Sequence, residues 1–202
     1  MQLTAPARWS AAADLGVRHL LKGGTVAKGT HVVEIRPEGP DDRQAVFDVN
    51  HAAFGRENEA RLVDALRQSP AFVPQLSLVA VDDSRVVGHV LFTRVTVRGA
   101  SQAPDALALA PMGVLPPYQK QGIGSALVRR GLENARDLGH RVVIVVGHPE
   151  YYPRFGFVPA KPLGILAPFE VPSEAFMVLE LQPNALRGVQ GQVEYPPEFD
   201  QV

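Results

Sequence analysis

From residue 32 onward, hydrophobic residues recur along the chain with strand or helix periodicity. Segment 32–36 alternates as a strand does, whereas Ile123, Leu127 and Ala135 share one helical face, with Gly139 placed to end that helix. The pattern predicts strands at 32–36, 76–81, 86–97, 105–114, 141–146, 176–181 and 189–195, and helices at 40–53, 59–66, 122–138 and 150–155.

The order of these elements predicts one mixed sheet flanked by helices. Two helices precede an antiparallel hairpin around residues 82–85, and a strand–helix–strand unit follows. This order is typical of a mixed α/β or α+β domain, here spanning residues 32–202. Residues 1–31 are rich in Ala and Gly and are predicted to form a partly helical N-terminal extension. A loosely ordered extension is favoured over a docking helix or a transit segment.

Composition and charge narrow the class of protein. The chain has 202 residues, 46% of them hydrophobic, and a net charge of −1. One sizeable core is therefore expected, with neither a nucleic acid nor a membrane as partner. No apolar run could span a bilayer and no secretory signal is visible, so we expect a cytoplasmic location. Without cysteine, and with six histidines that lack metal-ligand spacing, no metal site is predicted.

Segment 119–125, Gln-Lys-Gln-Gly-Ile-Gly-Ser, opens the long predicted helix directly after a strand. Glycines at 122 and 124 would let a ligand approach the backbone, and the first N–H groups of a helix lack internal partners. The segment therefore predicts an anion-binding cradle at the positive end of the helix dipole. Its spacing is neither that of a Walker loop nor that of a dinucleotide fingerprint. A tight turn without a ligand is the alternative.

Two motifs at matching spacing resemble the GNAT acetyltransferase superfamily. Gln-x-x-Gly-x-Gly at 119–124, entered from a strand ending at 110–114, resembles motif A of that family. Tyr-Tyr-Pro-Arg-Phe-Gly-Phe at 151–157 resembles its Tyr-x-x-x-Gly-Phe element. Segments 147–157 and 188–195 are most similar to the YhbS-like branch of predicted acetyltransferases. The resemblance implies the GNAT fold, a mixed, mostly antiparallel sheet with splayed central strands.

The resemblance also implies that acetyl-CoA is the co-substrate and that backbone groups bind it. The strand end at Met112, Gly113 and Val114 would pair with the pantetheine, and an N–H near Gly113 or Val114 would stabilise the reaction's oxyanion. The pyrophosphate would lie on the amides of Gln119, Lys120, Gln121, Gly122, Ile123, Gly124 and Ser125.

Tyr152 stands at the position of the family's proton donor. A phenol with a reference pKa of about 10 can protonate a departing thiolate, whose conjugate acid has a pKa of about 8.5. The alternative is core packing, with the hydroxyl bonded to the backbone. Tyr151 is expected to point elsewhere and to pack in the core or at the surface.

The group that takes a proton from the incoming amine is left open by the sequence. Glu59 opens a helix that flanks the acceptor site in the family, and His148 lies beside Tyr152, so these two lead. Weaker candidates are Glu57, His89, Asp105 and Glu150.

We expect an N-acetyltransferase in which a primary amine attacks acetyl-CoA directly in a ternary complex. The amine would belong to a small molecule, or to a protein N-terminus or lysine. The alternatives are a non-catalytic acyl-CoA-binding module and an interaction protein that keeps only the fold. A homodimer is compatible with the family. The Pro-rich loop 161–173, with Ile165, Leu166 and Phe169, is interpreted equally well as a lid, a dimer contact or a cover for the sheet edge.

Overall fold

The computed structural model describes residues 33–99 and 104–201, and the extension predicted at 1–31 lies outside them. The described residues form nine strands and three α-helices, and a few single 3-10 turns. In chain order these are β1 (Glu34–Pro37), α1 (Arg43–Phe54), α2 (Asn58–Leu66), β2 (Ser77–Asp82), β3 (Arg85–Arg98), β4 (Asp105–Val114), α3 (Ile123–Asp137), β5 (Val142–Val146), β6 (Val158–Pro159), β7 (Ile165–Leu166), β8 (Phe176–Glu180) and β9 (Gly191–Glu194).

Most predicted elements are present, and the differences have local causes. The helix predicted at 150–155 is a single 3-10 turn, Tyr152–Phe155, which Gly156 ends with a φ of 94°. The first helix is preceded by a 3-10 turn at Pro40–Asp42. The sequence pattern did not predict β6 and β7, because strands of two residues are too short to show a period.

The strands form one mixed sheet in the order β1-β2-β3-β4-β5-β8-β6, with β9 pairing on β3 and β7. Only the β4–β5 and β7–β9 pairs are parallel, and the remaining described pairs are antiparallel. This arrangement confirms the predicted mixed, mostly antiparallel sheet.

The two central strands, β4 and β5, separate before β4 ends. They pair only from Leu107 to Leu109 on β4 and from Val143 to Val145 on β5. Strand β4 continues to Val114 but is bonded there to β3 alone. The register of β3 and β4 shifts at Ala110 and Pro111, which is also where β4 separates from β5. The sheet therefore has a fork at its centre, as predicted.

Helices cover both faces of the fork. A Cβ added at Gly88 would lie 3.0 Å from Leu127 on α3, and one added at Gly113 would lie 3.3 Å from the Asn50 Oδ1 on α1. Gly113 pairs with His89, whose side chain is on the opposite face from residue 88. Thus α3 and α1 lie on opposite faces. The rest of the α1 face is covered by β7, β9 and their loops, over a second apolar cluster that includes Val95, Ala108, Ile144 and Val178.

Candidate active site

The end of β4 has backbone groups that point away from β3 and face into the fork. The Leu115 N–H donates to the Val87 carbonyl at 2.9 Å, which makes these residues a hydrogen-bonded pair across β3 and β4. Such pairs alternate along antiparallel strands, so the N–H and C=O groups of Val114 and Met112 point away from β3. Accordingly, the Val114 carbonyl accepts a bond from the Gln119 Nε2 at 3.0 Å. Alternation thus favours Val114 over Gly113 as a fork-facing donor.

The turn between β4 and α3 is the place where the sequence predicts the anion-binding cradle. Lys120 and Gly122 both adopt left-handed conformations, with φ of 62° and 87°. The space beyond Gly122 is open, since a Cβ there would meet no atom within 4 Å. Gly122 is the N-cap of α3 and brings no capping side chain. This conformation is compatible with the anion-binding cradle that the sequence predicts on this turn and on the first amides of α3, and the cradle stays a prediction.

Gly124 has a different role from the one that the sequence predicted. A Cβ at this position would lie 3.2 Å from the Tyr151 hydroxyl and 3.3 Å from the Met112 Sδ. The space beside Gly124 is therefore already filled by the protein and does not serve ligand approach. Tyr151 is fully buried, as predicted for core packing, but its hydroxyl lies 3.4 Å from the Ser125 Oγ. It therefore points at the cradle and not elsewhere.

Tyr152 lies where β5 ends and is 1% exposed. A Cβ at Gly147 would lie 2.1 Å from the Tyr152 Cε2, so the ring packs directly on the glycine backbone. The ring also packs edge-on against Tyr151 and Phe157. Burial, and secondarily Tyr151, raises the pKa of Tyr152 well above the usual value for tyrosine. Its hydroxyl therefore keeps its proton throughout the neutral range.

Cationic side chains surround the start of α3. Lys120 is exposed in the turn itself. The Arg154 guanidinium lies 4.6 Å from the centre of the Tyr151 ring, and that of Arg129 lies 5.4 Å from the centre of the Phe155 ring. The sequence did not indicate Arg154, because only the 3-10 turn brings it over Tyr151. These charges favour an anionic ligand at the cradle.

The two leading candidates for the proton acceptor are in different settings. Glu59 is buried at the start of α2, and the Arg56 Nε donates to its Oε1 and Oε2 at 3.1 and 3.0 Å. His148 is half-buried in the loop after β5, and its carbonyl accepts the Tyr151 N–H at 3.0 Å. The His148 backbone thus belongs to the turn that carries the two tyrosines, while the Glu59 carboxylate is bonded to an arginine.

His89 belongs to a buried polar network on the α1 face. The Asn50 Nδ2 lies 3.1 Å from the His89 Nδ1 and donates to the Val46 carbonyl at 2.8 Å. The His89 Nε2 lies 3.0 Å from the Ser77 Oγ. Burial lowers the pKa of His89 to about 4, which keeps the ring neutral. Because the Asn50 amide donates to the Nδ1, the proton of the neutral ring is on the Nε2. Closed in this network, His89 is not a proton acceptor for substrate.

A small apolar pocket opens at the base of the fork. Tyr195 and Phe169 close it, with their ring centres 6.0 Å apart, and Tyr195 also packs on Phe199 at 5.0 Å. Sequence reasoning did not single out Tyr195, although it lies in the tail that resembles the YhbS-like branch. The remaining lining residues belong to the two central strands and are Ala108, Leu109, Ala110, Ile144, Val145 and Val146.

The described residues contain no group of three or more His, Asp or Glu side chains that could hold a metal ion. None of their helices is long and apolar enough to cross a membrane.

A forked sheet with an anion cradle at one helix start defines a class of domain, and comparison with known proteins identifies it. A family model described as an acetyltransferase (GNAT) domain matches residues 34–160. The uncharacterized N-acetyltransferase YjhQ of Escherichia coli K12 is 40% identical over 153 residues, 73% of this chain and 84% of that protein. The uncharacterized N-acetyltransferase YhbS of the same strain is 35% identical over 167 residues, 82% and 98% of the two chains.

Two solved structures resemble the whole fold. The crystal structure of Escherichia coli YhbS in complex with CoA has a TM-score of 0.79 and 32% identity, covering 87% of this chain and 96% of that one. A GNAT family acetyltransferase from Brucella melitensis in complex with acetyl-CoA has a TM-score of 0.69 and 34% identity, covering 84% and 99%. The chain belongs to the GNAT acetyltransferase family.

Proposed function

We propose that this protein transfers an acetyl group from acetyl-CoA to a primary amine by direct attack within a ternary complex. The observation that carries the proposal is the combination of the fork, with Val114 and Met112 facing into it, and the cradle at the start of α3. Two related proteins have structures with CoA or acetyl-CoA, which supports the same donor here. The acceptor would be a small-molecule amine, or a protein N-terminus or lysine.

The donor fits the residues that are present. The turn and first amides from Gln119 to Ser125, with Lys120, Arg129 and Arg154 around them, suit a pyrophosphate. The fork-facing edge of Met112 and Val114 suits the amides of a pantetheine arm, which would pair there as an added strand would.

In the proposed step, the amine nitrogen attacks the thioester carbonyl carbon, and the C–S bond then breaks. The Val114 N–H would donate to the oxyanion of the tetrahedral intermediate. Tyr152, whose hydroxyl is protonated in the neutral range, would donate its proton to the departing sulfur and regain a proton from solvent when the products leave. His148 would take the proton that the amine loses, and we favour it over Glu59 because both Glu59 oxygens are engaged by Arg56.

The first experiment measures the binding of acetyl-CoA and of free CoA by calorimetry, in wild type and in two glycine variants. Gly122 and Gly139 lie at opposite ends of α3, have φ of 87° and 84°, and both face open space. Gly122→Val and Gly139→Val therefore impose similar backbone strain, but only the first alters the cradle. We expect Gly122→Val to weaken binding by about tenfold or more, while Gly139→Val leaves it unchanged.

Turnover is then measured as thiol release with a panel of amines. Release that depends on the amine supports the transferase. Saturable binding of acetyl-CoA with no release for any amine would favour a non-catalytic acyl-CoA-binding module. Failure of wild type to bind either ligand would overturn the proposal and leave the fold as an interaction scaffold.

A further inference from the structure

The pocket at the base of the fork has a position and a lining that suit one part of a substrate. Its floor is formed by the ends of the parallel pairing, Leu109 on β4 and Val145 on β5, beyond which the strands separate. The side chains of Ala108 and Ile144 belong to the apolar cluster on the face opposite α3. The pocket therefore begins at the point where a group bound between β4 and β5 would reach the α1 face of the sheet.

The lining of the pocket is uncharged. Six of its residues are aliphatic, and Phe169 and Tyr195 are the two others. Ala108 and Ala110 contribute only methyl groups from β4, so the two rings decide how far the pocket extends. The space has room for about one methyl-sized group.

Tyr195 is the one lining residue of the pocket that carries a polar group on its side chain. Burial raises the pKa of Tyr195 above its usual value. The ring is fixed between Phe169 and Phe199, the latter on the 3-10 turn Pro197–Gln201, which packs beside α2. The C-terminal tail and loop 161–173 thus meet over the fork and set the size of the pocket together.

We propose that Phe169 and Tyr195 form an acyl-length filter, which admits an acetyl group and excludes longer acyl chains. This inference rests on the proposed function, because it takes the thioester to lie in the fork. A protonated amine would lose its hydration in this pocket and find no carboxylate there, which is costly. An acyl chain is uncharged and loses nothing comparable, so the lining suits the donor's acyl group and not the acceptor's amine.

The test compares the binding of acetyl-, propionyl-, butyryl- and hexanoyl-CoA by calorimetry, which requires no acceptor. Wild type is expected to bind butyryl-CoA no more tightly than acetyl-CoA. In Phe169→Ala, each newly buried methylene improves affinity by about fourfold, so butyryl-CoA, with two more methylenes, gains about 16-fold over acetyl-CoA. Phe169→Trp is expected to weaken propionyl-CoA and leave free CoA unchanged. Tyr195→Phe keeps the ring and should keep the wild-type order.

Phe47→Ala is the matched control, because Phe47 is another half-buried phenylalanine, lies on α1 and is no part of the pocket lining. It should leave the acyl order unchanged. If wild type binds acetyl-CoA but Phe169→Ala shifts all the esters and free CoA equally, the filter is wrong while the proposed function stands. A change in amine preference without a change in acyl preference would also overturn the filter. If wild type binds no CoA ester, the proposed function itself fails.

Discussion

The Tyr152 ring lies on the backbone of Gly147, so closely that a Cβ at residue 147 would lie 2.1 Å from the Tyr152 Cε2. Gly147 directly follows β5, so this contact ties the position of the phenol to the end of a central strand. The sequence motif alone only aligns Tyr152 with the position of the family's proton donor. The contact with Gly147 explains how the fold would hold that hydroxyl in one place.

Gly147→Ala is therefore expected to displace Tyr152 and lower turnover. Inserting one methyl group into a packed core costs about 1–3 kcal/mol, so the free energy of unfolding should fall by that amount. Because the ring must move, kcat should fall by more than about tenfold at unchanged acetyl-CoA affinity. Urea unfolding and steady-state rates check this. Gly39→Ala is the control, since a Cβ there makes only an ordinary contact at 3.5 Å. Wild-type kcat in Gly147→Ala would contradict the expectation.

Tyr152→Phe should bind acetyl-CoA normally and turn over slowly. Loss of a general acid lowers kcat by about 10²-fold or more. The raised pKa of Tyr152 means that it loses its proton only above its usual range. We therefore expect no alkaline loss of rate from this group below about pH 10. Tyr151→Phe is the matched variant, because its hydroxyl points at Ser125. If Tyr151→Phe abolished turnover and Tyr152→Phe did not, the proton donor would be Tyr151.

His148→Ala and Glu59→Gln separate the two candidates for the proton acceptor. We expect His148→Ala to lower kcat by about 10²-fold, and excess imidazole in the assay to restore part of it. Glu59→Gln should lower stability, because it leaves Arg56 without its buried carboxylate, but should change kcat by less than about threefold. Glu57→Gln, which affects the exposed pair with Arg61, is the control. A large loss of kcat in Glu59→Gln alone would transfer the role to Glu59.

Much of the fold follows from local sequence patterns. The spacing of hydrophobic residues and the polar turn residues predicted the hairpin β2–β3. Its turn residues Asp83 and Ser84 adopt φ of 43° and 69°. The same kinds of pattern also predicted α3 and its glycine stop. The turn and the helix start at 119–125 were predictable because they depend on residues close together in the sequence.

What the sequence could not predict depends on contacts between distant segments. The contacts that favour glycine at 124 were not predicted, because Met112 reaches it from β4 and Tyr151 from the loop after β5. The pocket residues Phe169 and Tyr195 are 26 positions apart and meet only through the fold.

The pH dependence of stability should reveal the buried, neutral His89. Its pKa is about 4 in the folded protein against 6.5 for an ordinary histidine, and the neighbouring charges are Glu38 and Arg67. Between these values the unfolded chain binds a proton that the folded protein does not, so stability falls as the pH falls. The loss from about pH 7 to about pH 5 should be about 2 kcal/mol. Glu38, whose pKa is lowered, adds its own loss only below 4.5. Urea titrations of wild type and His89→Gln at both pH values test this. Burial also lowers the pKa of His140, but its contribution is common to both proteins and cancels. Equal pH dependence in the two proteins would mean that His89 is not held neutral.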